Sequence, residues 1–165
     1  MIPNYLKVQL PSNFEERYPN SSAKATECAM NLAYTADLLV KRISGLLQPY
    51  GLSPASGLVL SILADSESPL PPNKIADRLI LSRATVTGLI DSLEKRGYVR
   101  RQPHQSDRRM LMIKLTEAGK KVAHDFRPIV HQHQKRWLEA FSDKEQQQLI
   151  DLLQSLQVAL LDSDA

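Results

Sequence analysis

The chain of 165 residues has the length of one ordinary globular domain, with 42% hydrophobic and 24% charged residues. No apolar run approaches the roughly 20 residues of a membrane span, the start of the chain lacks the basic and apolar regions of a secretory signal, and one cysteine excludes an internal disulfide. We therefore expect a cytoplasmic protein without a membrane partner.

Positive charge is concentrated in one part of the chain, although the net charge is only +3. Residues 73–121 hold twelve Lys and Arg against five Asp and Glu, whereas the rest of the chain holds nine against thirteen. A basic segment within an otherwise acidic chain is typical of a nucleic-acid-binding surface.

The first third of the chain is predicted to be helical after an irregular start. Residues 1–22 carry three prolines without periodicity, so we expect an irregular N-terminal arm. Apolar residues at helical spacing predict a long helix over about 23–48. Ser53 followed by Pro54 is a strong start signal for the next helix.

A short helix over 73–79 and a tight turn lead into a helix with a clear two-faced pattern. Ser82 is a good N-cap, and Gly97 suits the left-handed residue after the last turn. The inner face is apolar and the outer face is small or polar, with Arg83 near its start; the inner residues are Val86, Leu89, Ile90 and Leu93. Small side chains and a positive N-terminal end let a helix approach a DNA groove, so the pattern predicts a recognition helix.

A polar and basic hairpin follows this helix. Alternating residues predict one strand from Tyr98 and a second ending at Leu115, joined by the turn-prone segment 102–109. Arg108 and Arg109 at its tip suit phosphate contact or insertion into a minor groove. Helix and hairpin together predict a winged helix-turn-helix, a mainly α fold with a small β-hairpin wing, over residues 53–116.

Two more helices are predicted after the hairpin. Thr116 caps the first, which Pro128 is expected to kink or split. Ser142 and Glu145 have the spacing of a capping box for the second, whose leucines form one stripe: Leu149, Leu152, Leu153, Leu156 and Leu160.

The terminal helices carry more apolar surface than a small winged helix can cover. We therefore expect residues 23–50 and 117–165 to form the dimerisation region of a two-fold homodimer. Such a dimer presents two recognition helices to successive major grooves of double-stranded DNA.

Two segments resemble the multiple-antibiotic-resistance regulator (MarR) family. The first runs from Ser82 to Arg101, and the second contains Asp107-Arg108-Arg109 followed by Leu115-Thr116-Glu117-Ala118-Gly119. The resemblance extends over about 25–161 by element order and is closest over 74–119. It implies a homodimeric regulator that binds palindromic operator DNA, usually as a repressor.

The resemblance also implies roles for individual residues. By similarity, Arg109 is the wing arginine that reaches the minor groove, and Asp107 is the acidic residue that orients it. Four residues fall where the family places groove and phosphate contacts: Ser82, Arg83, Thr85 and Thr87. Arginine can bind guanine with two hydrogen bonds, while hydroxyl groups contact phosphate or base edges less selectively.

Members of this family respond to different signals. Many release DNA when a small aromatic acid or another ligand enters a cleft between the dimer helices and the DNA-reading region, and others respond to cysteine oxidation. Cys28 resembles the cysteine of the oxidation-sensing branch in rough position, although the next tyrosine, Tyr34, departs from that context. We expect a ligand-responsive repressor; the alternatives for Cys28 are a redox role or a small buried residue.

Other functional classes find little support. The chain has no glycine-rich phosphate loop, nucleophile elbow or zinc-protease helix, so we expect neither an enzyme nor a cofactor. His124 and His131 share a helix face but are two turns apart, too far for one metal ion. A winged-helix adaptor that binds protein is the remaining alternative, and a weak salt dependence of DNA binding would favour it.

Overall fold

The computed structural model describes residues 8–104, 106–107 and 110–162. The predicted mainly α fold with a hairpin wing is confirmed. In chain order the elements are α1 (Phe14–Arg17), α2 (Ala23–Leu47), a 3-10 turn (Gln48–Tyr50), α3 (Pro54–Ala64), α4 (Pro72–Leu79), α5 (Arg83–Lys95), β1 (Val99–Pro103), β2 (Leu111–Leu115), α6 (Glu117–Leu138) and α7 (Asp143–Asp162).

The hydrophobic core extends from the end of α2 to the first half of α6. Its largest fully buried side chains come from α2, α3, α4, α5 and both strands, and they are Leu47, Val59, Leu60, Ile75, Val86, Ile90, Leu93, Val99 and Ile113. Phe126 of α6 closes the core at 3% exposure. We call residues 53–116 the reading head, and this core fixes the relative positions of its helices and hairpin.

Side-chain caps begin most of the helices, as the sequence predicts. Ser53, Ser82 and Thr116 each accept a hydrogen bond from a backbone N–H three residues on. The capping box also forms, since the carboxylate of Glu145 accepts from the backbone N–H of Ser142 at 2.8 Å. Hydrogen bonds from Ser142 lower the pKa of the Glu145 carboxyl.

The hairpin has a third backbone partner that the sequence pattern does not reveal. β1 and β2 are antiparallel, with Val99 opposite Leu115. Leu70, in the loop before α4, exchanges two backbone hydrogen bonds with Ile113, at 3.0 and 2.8 Å. This bridge ties the wing to the loop between α3 and α4.

Two segments differ from their predicted form. Within residues 1–22, where we expected an irregular arm, Phe14–Arg17 forms one helical turn, and the Glu15 carboxylate accepts from the first N–H of α2 at 3.0 Å. Of the two outcomes expected at Pro128, a kink or a split, the split is wrong, because α6 runs through this residue without interruption. Pro128 lies on the exposed side, and the inward packing of Ala123 and Phe126 holds the helix in place of the missing hydrogen bond.

The terminal helices expose apolar residues that the core does not use. α7 buries none of its residues and α2 buries only Leu47. Among the described residues, no single helix is long and apolar enough to cross a membrane; α2 with its 3-10 turn and α3 pass that test only as a pair bent by 73°. α3 itself contributes much of the buried core.

Candidate DNA interface

The turn between α4 and α5 depends on one residue with an unusual backbone. Ile80 ends α4 with φ 52° and ψ 43°, in the left-handed region, and its side chain is 64% exposed. The N–H of Leu81 then donates to the carbonyl of Ala76 at 3.2 Å. The left-handed residue turns the chain so that Ser82, two residues on, can cap α5.

The four predicted DNA-contacting residues of α5 are all exposed and lie at its N-cap and in its first two turns. The Ser82 hydroxyl accepts from the N–H of Thr85 at 3.1 Å and lies 2.8 Å from the Thr85 hydroxyl. The Thr87 hydroxyl donates to the carbonyl of Arg83 at 2.8 Å. These bonds fix the hydroxyl groups before any partner arrives, while the Arg83 side chain remains exposed.

The rest of the outer face of α5 is small enough for close approach. Ala84 and Gly88 are exposed, and a Cβ added at Gly88 would meet no atom within 4 Å. The helix backbone is therefore accessible from the outside over its first half, as a recognition helix requires.

A network of ion pairs joins the wing to α5. The guanidinium of Arg101 on β1 binds the carboxylate of Asp91 at 2.5 Å and also that of Glu94. The backbone N–H of Arg101 donates to the second Glu94 oxygen at 3.0 Å. We call these three residues the wing clamp, because they tie the first wing strand to two successive turns of the recognition helix.

The electrostatics of the wing clamp favour its charged form. The pKa of Arg101 is raised, above all by its hydrogen bond to Asp91 and also by Glu94, against a smaller opposing effect of burial. Planar guanidinium groups suit such paired contacts with carboxylates. The sequence indicated a basic strand here, but not which acids it would meet.

The C-terminal end of α5 is anchored by a second arginine. Arg96 donates to the carbonyl groups of Tyr50, at 2.9 Å, and Gly51. Its guanidinium also lies 5.3 Å from the centre of the Tyr98 ring, a cation–π distance. These contacts connect the recognition helix to the end of α2 through the 3-10 turn.

The exit from the wing brings α6 unusually close to the hairpin. The Thr116 hydroxyl donates to the carbonyl of Gly97 at 2.6 Å while capping α6. A Cβ at Gly119 would overlap the carbonyl oxygen of Tyr98, so only glycine fits this contact. The Leu-Thr-x-x-Gly pattern noted in the sequence therefore has a steric cause.

Of the three predicted wing-tip residues, the structure describes only Asp107. Arg108 and Arg109 lie outside the described residues, so their predicted DNA contacts stay predictions. Asp107 is exposed, and its carbonyl accepts from the N–H of Met110 at 3.0 Å, which closes the end of the hairpin. Its predicted role of orienting Arg109 also stays a prediction.

The other candidate residues lie apart from this surface. Cys28 is exposed near the start of α2. In the single chain it is therefore not a small buried residue, which was the alternative to a redox role. Tyr34 is exposed on the same helix. Among the described residues, no three His, Cys, Asp or Glu side chains are close enough together to hold a metal ion.

These features define a class of protein. A helix-turn-helix with an exposed, capped second helix, and a hairpin wing fixed beside it, is a winged helix-turn-helix, an architecture used for DNA recognition. Fold alone does not establish function. The function therefore rests on the similarity to known proteins.

Comparisons with known proteins agree with this class. The family model described as the MarR family matches residues 52–111. Over 160 residues the chain is 29% identical to the "HTH-type transcriptional repressor YetL" of Bacillus subtilis (strain 168), covering 94% of this chain and 92% of the relative.

Solved structures show the same architecture. CouR from Rhodococcus jostii RHA1, bound to p-coumaroyl-CoA, superimposes with a TM-score of 0.74 and 29% identity over 82% of this chain and 95% of its own. Overoxidized AbfR bound to DNA gives a TM-score of 0.68 and 26% identity over 82% and 93% of the two chains.

The chain is thus similar, over nearly its whole length, to winged helix-turn-helix transcription regulators of the MarR type. It is a DNA-binding regulator and not an enzyme.

Proposed function

We propose that the protein is a homodimeric repressor that binds a palindromic operator and is released by a small-molecule effector. The observation that carries the DNA-binding part is the wing clamp beside a small-faced, capped recognition helix. The recognition helix and the wing are thereby held in fixed positions relative to each other. This arrangement suits simultaneous contact with a major groove and its neighbouring minor groove.

The repressor role is supported by the most extensive of the similarities described above. YetL is named a transcriptional repressor, and its match covers nearly the whole of both chains. A repressor needs only to occupy its operator, which the reading head can do without a surface for contacting polymerase.

The dimer is supported by the exposed apolar stripe of α7 and by apolar residues on α2. Leu38, Val40, Leu152 and Leu160 are each more than half exposed, which is unusual for large apolar residues clustered on two helices. A second copy of the chain would cover them and would place the two reading heads about one DNA turn apart, roughly 34–36 Å.

The effector is supported by an apolar cavity between α2, α3 and α6. Its volume is about 170 Å³, and its lining includes Leu47, Leu58, Phe126 and Val130. A cavity of roughly 150 Å³ can hold a single aromatic ring. CouR, a similar structure, is bound to p-coumaroyl-CoA, a molecule with such a ring.

Redox sensing through Cys28 is the second candidate. Its thiol is exposed, and access is one of the two conditions for a reactive cysteine, the other being a lowered pKa. Overoxidized AbfR bound to DNA is a similar structure. Treatment with peroxide would weaken operator binding of the wild type but not of Cys28→Ser if this candidate is correct.

The test of DNA binding starts from selection of genomic fragments by the purified protein, followed by titration of the selected fragment at several salt concentrations. We expect a palindromic site and a steep loss of affinity with salt, because phosphate contacts release counterions. Arg109→Ala should weaken binding by about 1–3 kcal/mol, whereas Lys144→Ala, the same charge change at the start of α7, should not.

The outcome that would overturn the proposal is equally definite. If no fragment is enriched, or if affinity changes little with salt, the winged fold serves as an adaptor for another protein. Equal affinity of Arg109→Ala and the wild type would refute the wing contact alone.

A further inference from the structure

The outer face of the wing carries two like charges side by side. Arg100 on β1 and Lys114 on β2 are directly opposite each other in the antiparallel register, and both are exposed. Side chains alternate between the two faces of a strand. Arg100 and Lys114 are therefore on the face opposite to that of Arg101, whose guanidinium binds the carboxylates on α5. One face of the wing is fixed to the recognition helix, and the other carries positive charge.

This pair of cations is unfavourable for the protein on its own. The Cβ atoms of residues directly opposite on neighbouring strands are roughly 4.5–5.5 Å apart, so like charges there repel each other. Among the described residues, neither Arg100 nor Lys114 forms an ion pair. A repulsive pair that the fold does not neutralise is typical of a functional surface, where an anion from outside supplies the missing charge.

Lys120, near the start of α6, is a third cation beside this pair. Its ammonium is 2.7 Å from the carboxylate of Glu117. The pKa of Glu117 is lowered, above all by this hydrogen bond and also by the charges of Lys114 and Arg100, so the three cations lie near one carboxylate. The first turn of α6 adds the positive end of a helix dipole. We call Arg100, Lys114 and Lys120 the wing patch.

The acidic residues around the wing patch do not close it to an anion. The side chain of Glu117 is 89% exposed, so its contact with Lys120 is worth little and is given up at low cost. Lys114 and Lys120 also border a cavity whose lining includes one carboxylate, that of Glu67, which is exposed as well. Both carboxylates can turn into water when a stronger anion reaches the patch.

The place of the wing patch in the fold favours a DNA backbone as its partner. When α5 occupies a major groove and the wing the neighbouring minor groove, the duplex continues outward past the face of the wing that points away from α5. The wing patch is on that face. Each strand carries one phosphate per roughly 3.4 Å of helix axis, so successive phosphates can meet three neighbouring cations.

We propose that the wing patch binds the phosphate backbone of DNA that flanks the operator, outside the sequence contacted by α5 and the wing tip. Such contacts add affinity and carry no direct sequence information. The inference rests on the proposed placement of the wing in a minor groove, and it extends the bound DNA beyond the operator itself.

The experiment compares two duplexes bound by the full chain: the selected operator alone, and the same operator with about ten base pairs of unrelated sequence added at one end. The wild type should bind the longer duplex about tenfold more tightly at about 50 mM salt, and its plot of log affinity against log salt should be steeper by about 2–3. Arg100→Gln with Lys114→Gln should lose about 2 of that difference in slope and most of the tenfold gain. On the operator alone this variant should bind like the wild type.

Two controls separate the wing patch from net charge and from folding. Arg100→Lys with Lys114→Arg keeps both charges and should keep the gain from the added DNA. Lys135→Gln with Lys144→Gln removes the same charge from exposed positions and should also keep it, since Lys135 is about 22 Å beyond Lys120 along α6. Thermal melts should show no loss of stability in the glutamine variants of the wing patch, because the changes remove a repulsion.

Three results would overturn the inference. They are equal affinity of the wild type for the two duplexes, a gain that Arg100→Gln with Lys114→Gln retains, or an equal loss by this variant on both duplexes, which would assign the patch to the operator itself. Failure of the proposed operator binding shows instead on the shorter duplex. In that case a random duplex of about 40 base pairs replaces both, and equal salt slopes of variant and wild type overturn the inference.

Discussion

The reading head and the terminal helices differ in how far they bury their apolar side chains. In the reading head, α3, α4, α5 and the strands bury most of their large apolar side chains, with Leu58 and Leu111 as exposed exceptions. In α7 no residue is buried, and Leu152 is 69% exposed. The difference teaches that one chain completes the core of the DNA-reading unit, whereas α7 leaves an apolar surface open, which the proposed dimer would cover.

The largest effect is expected for substitutions in the exposed apolar stripe of α7. The double change Leu152→Asp with Leu156→Asp places two carboxylates on the apolar stripe and should convert the proposed dimer to a monomer, weakening association at least about a hundredfold. The reading head should stay folded, because α7 contributes nothing to its core. Sedimentation measures the change, and Gln154→Asp on the same helix is the control; a persisting dimer would refute this interface.

The next effect concerns the junction between the two regions. Gly119→Ala should destabilise the protein by about 3 kcal/mol, because its Cβ overlaps the backbone carbonyl of Tyr98. The matched change Gly88→Ala meets no atom and should instead stabilise by roughly 0.5–1 kcal/mol, while weakening operator binding through loss of close approach. Thermal or denaturant unfolding of both variants checks this, and equal stabilities would contradict it.

A smaller effect is expected inside the reading head. Arg101→Met removes the wing clamp and should weaken operator binding about tenfold, because the wing is no longer held beside α5. Arg101→Lys keeps the charge but cannot span both carboxylates, so its affinity should fall between the two. Fluorescence anisotropy with operator DNA gives the affinities; wild-type affinity of Arg101→Met would show that the clamp does not position the wing.

The smallest effect concerns the turn before the recognition helix. Ile80→Gly should raise the free energy of unfolding by about 0.5 kcal/mol, since relief of the left-handed strain exceeds the entropy cost of glycine. Ile150→Gly, at an exposed helical position of α7, should lower it by about 1 kcal/mol. Denaturant midpoints distinguish the two signs, and a loss of stability in Ile80→Gly would mean that its side chain stabilises the turn.

The elements whose causes are local could be predicted from the sequence. Ser82 caps α5 through bonds within its own first turn, and the inner residues of that helix follow from its period. Thr116 and the Ser142–Glu145 capping box are equally local. The exposure of the four DNA-contacting candidates of α5 follows from the same helical period.

Features that depend on tertiary contact could not be predicted in this way. The wing clamp requires the hairpin to lie beside α5, and the bridge from Leu70 to Ile113 joins distant parts of the chain. The split, one of the two outcomes expected at Pro128, was wrong because core packing outweighs one missing hydrogen bond. Arg96 anchors α5 to the carbonyl groups of the 3-10 turn. The sequence did not predict this role, because Arg96 is one of many basic residues in this part of the chain.

The wing clamp also has an electrostatic consequence for DNA binding. Asp91 and Glu94 are the two acidic residues of the recognition helix, and unshielded carboxylates there would repel the phosphates on either side of a groove. Arg101 acts as a built-in counterion for both. The wing clamp therefore leaves one net negative charge where two carboxylates would otherwise face the phosphates, so the helix needs fewer cations from solution when it approaches DNA.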